Sequence, residues 1–337
     1  MNENKLNIIK GALYGVAVGD ALGAPVEFMG AESIQRQHGR VTEMLSGGWL
    51  NVEPGEITDD TQMTLCVARG ILNSKSSDVN EVVRKVGAEF IKWYHTGPKD
   101  VGGTCASSIS GAIERGQKTG KEEPPATAWI QASAATDTRT GGRSGGNGSL
   151  MRTVYIPLYY SDLKQMKTTA TAVSRMTHFD RKAAEACELY CEIINEIVRS
   201  EKTHTGRRTM IDHYDIYEKA IFGNSEYAEA MDKDFQPQPT GYSVDSLKAA
   251  IWAIERAIDT ATVKEFFRKA VENAVNLGGD ADTIGAITGG LIGAICGYDA
   301  IPESWKYALN NKVKDELNAL AEAAAECWET TAASKAE

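Results

Sequence analysis

The chain has 337 residues, 42% hydrophobic and 24% charged, the balance of a globular protein long enough for one large domain or two ordinary ones. Forty-six acidic residues against 36 basic ones leave a net charge of −10, which removes the electrostatic ground for nucleic-acid binding. The longest apolar run, 284–297, falls short of the roughly 20 residues that a membrane span needs, and residues 1–10 lack the apolar core of a secretory signal.

In chain order, Gly11, Gly15, Gly19 and Gly23 recur every four residues. On a helix they form one smooth face that another backbone can approach closely. Asp20 interrupts this apolar run, and Glu27 follows Pro25. The polar stretch from there to Gly55, with Gly47-Gly48 and Pro54, reads as a loop with little regular structure. Thr58 to Thr61 opens an apolar-periodic helix through residue 72. Asp78-Val79-Asn80-Glu81 resembles a capping box, with Val79, Val82, Val83, Val86 and Phe90 following at helical spacing. Gly97-Pro98 breaks the pattern ahead of Asp100 and Gly102-Gly103. Residues 106–115 read as a short helix and 116–149 as a second loop-rich zone.

Further helices are expected at 163–175, 180–199, 245–258 and 263–275, the last opened by a Thr262/Glu265 capping box. Residues 201–242 are polar and read as a variable, partly helical surface insertion. Gly285, Gly289, Gly293 and Gly297 form a second glycine stripe, and 329–337 read as a frayed tail. Alternating strand patterns are scarce and no linker divides the chain. The expected fold is therefore all-α, a single multi-helix domain over 1–328 with long loops around its cleft. Six scattered cysteines without a CxxC read as reduced thiols of a cytoplasmic protein.

Two acidic clusters stand out: Thr58-Asp59-Asp60-Thr61 and Asp280-Ala281-Asp282-Thr283. Each sits where a helix begins, so the plain alternative is an N-cap. A cap needs one carboxylate, and each cluster has two. Oxygen donors of this kind suit a hard cation such as Mg²⁺ or Mn²⁺. His38, His95, His178, His204 and His213 show no paired ligand spacing, which argues against zinc. The glycine run 141–148, flanked by Arg143 and Arg152, is neither a Walker loop nor a dinucleotide fingerprint. Its amides could face an anion, or it could be a flexible turn. Glu27 and Asp100 taken singly are ordinary acids, and His178 could simply cap the helix after it.

GDALGAPVEF, GEITDDTQM, GRSGGNGSLMR, the Thr177-His178 pair and NLGGDADTIGAITGGLIGA occur in this order over about residues 8–310. Together they resemble the ADP-ribosylglycohydrolases. The resemblance implies an all-α bundle with two Mg²⁺ or Mn²⁺ ions in a cleft. Thr58, Asp59 and Asp60 would ligate from one side, and Asp280, Asp282 and Thr283 from the other. Glu27 would be a metal-linked switch or base, and Asp100 would face the acceptor. Gly146, Asn147, Gly148 and Ser149 would hold a diphosphate, with His178 near the nucleotide. Glu27, Asp59, Asp60 and Asp100 form the implied catalytic set. The implied reaction hydrolyses the bond between the anomeric ribose carbon and an acceptor. An ADP-ribosylated protein, modified on arginine, is the first choice; serine, a nucleic-acid end or a small guanidine are the others. Three further readings compete: a metal-dependent phosphohydrolase that would release AMP, a non-catalytic ADP-ribose binder and a purely structural helical protein.

Overall fold

The computed structural model describes residues 2–120, 122–200 and 206–333, which form fifteen α-helices and no β-strand. In chain order these are α1 (Glu3–Gly23), α2 (Ala31–His38), α3 (Asp59–Ser74), α4 (Val79–His95) and α5 (Gly103–Lys118). Next come α6 (Ala126–Arg139), α7 (Tyr155–Tyr159), α8 (Leu163–Ser174), α9 (Arg181–Arg199) and α10 (Arg207–Phe222). The last five are α11 (Ser243–Glu255), α12 (Val263–Val275), α13 (Ala281–Cys296), α14 (Glu303–Ala308) and α15 (Asn311–Ala333). Among the described residues, no helix is long and apolar enough to cross a membrane.

The centre of the fold is the antiparallel pair α1 and α13. Their apolar sequences are buried all round over residues 11–23 and 281–295, as expected of helices with no polar face. The two glycine stripes meet directly. A Cβ on Gly15 would lie 2.0 Å from the Gly289 carbonyl oxygen, and one on Gly19 would lie 2.0 Å from that of Gly285. The two backbones are thus in contact with no side chain between them. Helices α9, α10, α11 and α12 pack on α13, while α3 and α15 pack on α1. Helix α4 covers α3, and the α5–α6 pair lies outside α4.

The helices expected at 163–175, 180–199, 245–258 and 263–275 are α8, α9, α11 and α12. Asp78 caps α4 by accepting from the Asn80 amide (3.0 Å), and the Thr262 hydroxyl accepts from the Glu265 amide (3.2 Å). Thr262→Ala should cost about 1 kcal/mol, seen as a melting-temperature loss of roughly 1–2 °C.

Two stretches expected as loops contain helices. In α2, Ile34 is the one buried residue, so no periodic apolar signal exists to read. In α6 the buried stripe is Ala128, Trp129, Ala132, Ser133 and Thr136, in which small and polar residues hide the helical period. Of the expected surface insertion 201–242, residues 201–205 lie outside the described residues. Its helix α10 turns Met210, His213, Tyr217 and Ile221 inward, against α9 and α13. The expected tail begins inside α15, and residues 334–337 lie outside the described residues.

Candidate active site

The candidate site lies where the C-terminal end of α1 meets the N-terminal end of α13. The turn ahead of α13 needs Gly278 and Gly279, whose φ angles of +73° and +63° are left-handed. A Cβ on Gly279 would also lie 2.1 Å from the Pro239 carbonyl oxygen. This turn is stitched to the segment after α1. The Phe28 amide donates to Gly279 O (2.7 Å), and the Gly279 amide donates to Met29 O (2.8 Å). The stitching brings Glu27 to Asp280 and Asp282, so that each offers an oxygen within 4.8 Å of the other two. The Trp49 indole donates to Glu27 Oε2 (2.6 Å) and holds the carboxylate from the outer side.

Helix α3 supplies the second acidic cluster. Asp20, fully buried on α1, receives both the amide and the hydroxyl of Thr58, and both the amide and the hydroxyl of Thr61. One carboxylate thereby fixes the N-terminus of α3 and aims Thr58, whose Oγ1 also lies 3.2 Å from Asp60 Oδ2. Asp20→Asn places an NH₂ group among these four donors. It should cost about 2–3 kcal/mol, measurable by urea unfolding, and lower activity by displacing Thr58 and Asp60.

The electrostatics are one-sided. Burial pushes the carboxyls of Asp59, Asp60 and Asp282 well above the usual carboxylate range, and the charged neighbours that raise them further are other carboxylates. Asp60 is the neighbour that pushes Asp282 most, so the two clusters feel each other across the cleft. Burial raises Glu27 to about 7 against the opposing indole hydrogen bond, and it raises Asp20 to about 6 against its four donors. Burial also raises Asp100, whose side chain neighbours Asp59. Asp60 Oδ1 is buried with no hydrogen-bond partner. A buried carboxylate oxygen without a donor costs on the order of 1–3 kcal/mol or more. A set made only of carboxylate and hydroxyl oxygens fits a hard divalent cation, and a cation would satisfy that orphan.

The glycine loop closes one side. Asn147 Nδ2 donates to Asp280 Oδ2 (2.8 Å) and to Ser246 Oγ (2.9 Å), and the Asn147 amide donates to Gly241 O (2.9 Å). The loop is thereby tied to the start of α13. The His178 ring lies against it, and a Cβ on Gly148 or Gly146 would lie 3.0–3.3 Å from that ring. Ser149 turns its hydroxyl into the core, bonded to Ser174 (2.9 Å) and Cys187 (3.6 Å), so only its backbone borders the loop. Arg143 is exposed and bonds Thr140 O (3.0 Å). Arg152, which flanks the loop in sequence, is completely buried.

The structure thus brings Glu27, Asp59, Asp60, Asp100, Asp280 and Asp282 into one electrostatic neighbourhood, with Thr58 and Thr283 buried at the two helix starts. Sequence patterns alone do not reveal the bonds that Asp20 and Trp49 make. The one local sign of the former is a carboxylate inside an otherwise apolar helix.

Fold and site together define an all-helical protein with a cleft of buried carboxylates. The chain belongs to the ADP-ribosylglycohydrolase family, whose model matches residues 1–334. It is 31% identical over 310 residues to the ADP-ribosyl-(dinitrogen reductase) glycohydrolase of Rhodospirillum rubrum, covering 91% of this chain and 92% of that one. It is 27% identical over 307 residues to the ADP-ribosylarginine hydrolase Tri1 of Serratia proteamaculans, covering 90% and 75%. A solved structure, titled as an ADP-ribosylglycohydrolase-related protein complex, superposes with a TM-score of 0.72 at 29% identity, over 96% of this chain and 99% of that one. The chain is an enzyme of this family, removing ADP-ribose from a modified acceptor.

Proposed function

We propose that the acceptor is a protein arginine and that hydrolysis requires two divalent cations, Mg²⁺ or Mn²⁺. Thr58, Asp59 and Asp60 would hold them from α3, and Asp280, Asp282 and Thr283 from α13. The observation that carries this reading is the convergence of buried carboxylates whose charged neighbours are other carboxylates, with Asp60 Oδ1 left bare. The arginine acceptor is supported by the relatives' names. When bound, the cations supply Lewis acidity to ribose hydroxyls and to the attacking water.

The chain's own groups do the rest. Bond breaking at the anomeric carbon develops oxocarbenium character, which a cleft of carboxylates favours. Glu27, raised to about 7 and anchored by Trp49, is suited to exchange a proton with water near neutral pH. Asp100, beside Asp59, would face the departing acceptor. Gly146, Asn147, Gly148 and Ser149 would seat the diphosphate, with Asn147 setting the loop's distance from Asp280. The substrate partner is an ADP-ribosylated protein. A cytoplasmic location fits six cysteines of which none forms a disulfide among the described residues.

The test is ADP-ribose release from a mono-ADP-ribosylated arginine protein, with Mg²⁺ or with EDTA. Cation-dependent release of intact ADP-ribose is expected. Release of AMP would replace this reading with a phosphohydrolase, and binding without release would reduce the protein to a binder.

A further inference from the structure

Arg152 has no exposed surface and, among the described residues, no carboxylate pairs with it. A buried guanidinium without an anion is expensive, so its other contacts define what it does. Its plane stacks on Phe90, 4.5 Å from the ring centroid. Nη1 reaches only sulfur, at Cys105 (3.6 Å) and Met63 (3.8 Å). Nη2 makes the two strong bonds, to Val173 O (3.2 Å) and to Thr177 Oγ1 (2.7 Å). Thr177 Oγ1 lies 2.8 Å from His178 Nδ1. The backbone of this pair is fixed as well, because Ser108 donates to Thr177 O (2.9 Å) and the His178 amide donates to Ser174 O (3.0 Å).

The donor inventory sets the direction of this chain. Arginine can only donate, so Thr177 Oγ1 accepts from it. The hydroxyl's own hydrogen then has two acceptors in reach, His178 Nδ1 and the Cys105 sulfur, and the sulfur is much the weaker. With Nδ1 accepting, a neutral ring carries its hydrogen on Nε2. Burial and the nearby Arg152 charge push His178 down to about 3, so the ring is neutral. The Nε2 edge is the one that faces the glycine loop, 3.3 Å from where a Cβ on Gly146 or Gly148 would stand.

We infer that Arg152 and Thr177 are positioning residues that lock His178 in its Nε2–H tautomer, giving the glycine loop a fixed, uncharged side-chain donor for an oxygen of the substrate's ADP-ribose. The tautomer follows from this geometry alone. The use of the donor rests on the proposed function, with the loop as the seat of the diphosphate.

The experiment measures imidazole nitrogen shifts of ¹⁵N-labelled protein at pH 7, with His178→Gln identifying the resonances, alongside ADP-ribose affinity and hydrolysis. The wild type should show hydrogen on Nε2 and a bare Nδ1. Thr177→Val should lose that signature. It should also weaken ADP-ribose binding and raise KM by about tenfold, with kcat within about twofold, as loss of one aligned donor predicts. Thr177→Ser should restore both, which a merely structural role would not require. Arg152→Met should reproduce the valine result; if it does not fold, the Thr177 pair decides. Hydrogen on Nδ1 in the wild type, or an unchanged signature in Thr177→Val, overturns the relay. A changed signature with unchanged affinity overturns the donor role. A wild type that does not bind ADP-ribose sinks the proposed function instead and leaves the tautomer result standing.

Discussion

Asp60→Asn and Asp282→Asn should each make the cation-free protein more stable and the enzyme at least about a thousandfold slower. Both carboxyls are buried among like charges, and Asp60 Oδ1 has no donor. An amide of the same shape removes the charge repulsion and brings its own donors. In EDTA at pH 7–8 the gain should be on the order of 1–3 kcal/mol, read as a higher melting temperature. The sign with pH is set by the same groups. Folding raises Glu27 from 4.5 to about 7 and Asp20 from 3.8 to about 6. In that window the folded state binds more protons than the unfolded one, so stability falls as pH rises through it. That is opposite to the behaviour of salt-bridged carboxylates. Saturating Mg²⁺ should flatten the fall. A cation-free Asp60→Asn protein less stable than the wild type, measured by thermal melts from pH 4.5 to 8, would contradict this account of the cleft.

Gly15→Ala should be among the most damaging single methyl additions in the core. The new Cβ would stand 2.0 Å from the Gly289 carbonyl oxygen, and both partners are backbone. Neither can turn aside as a side chain would, so α1 and α13 must separate along their length. The expected loss is about 4 kcal/mol or more, beyond the usual cost of overpacking and a large share of a domain's net stability. It should appear as a melting temperature lower by roughly 6 °C or more, or as failure to fold. Gly103→Ala is the control, since a Cβ there meets nothing within 4 Å. Its effect should stay within about 0.5 kcal/mol.

Both glycine stripes and both acidic clusters are legible in the sequence because each is local: a four-residue period, and two carboxylates beside a hydroxyl. The caps at Asp78 and Thr262 are local in the same sense, with partners two and three residues on. What is not legible is what depends on distant partners. Asp20 looks like a flaw in an apolar helix until Thr58 and Thr61, 38 and 41 residues away, are seen to converge on it. Trp49 sits in a stretch without a pattern, and its bond to Glu27 spans 22 residues. Arg152 flanks a glycine loop in sequence, and no local pattern reveals that the chain turns it inward onto Phe90. Helix α15 shows another limit. Leu317, Leu320, Ala321, Ala324, Ala325 and Trp328 make a clear stripe, but half of its buried positions are alanines, which carry little hydrophobic contrast.

The pairing of α1 with α13 also has a consequence in time. Helix α1 ends at Gly23 and α13 begins at Ala281, so the central contact of the fold joins distant parts of the chain. Such long-range closure is slow and leaves apolar surface open until it happens. During synthesis on the ribosome, α1 has no mate for its glycine face until α13 has been made. The carboxylate cleft proposed as the active site is split the same way, with Asp20 and Glu27 made before Asp280 and Asp282. A nascent chain therefore carries half of that cleft on an unpaired apolar helix, a surface open to aggregation until α13 arrives.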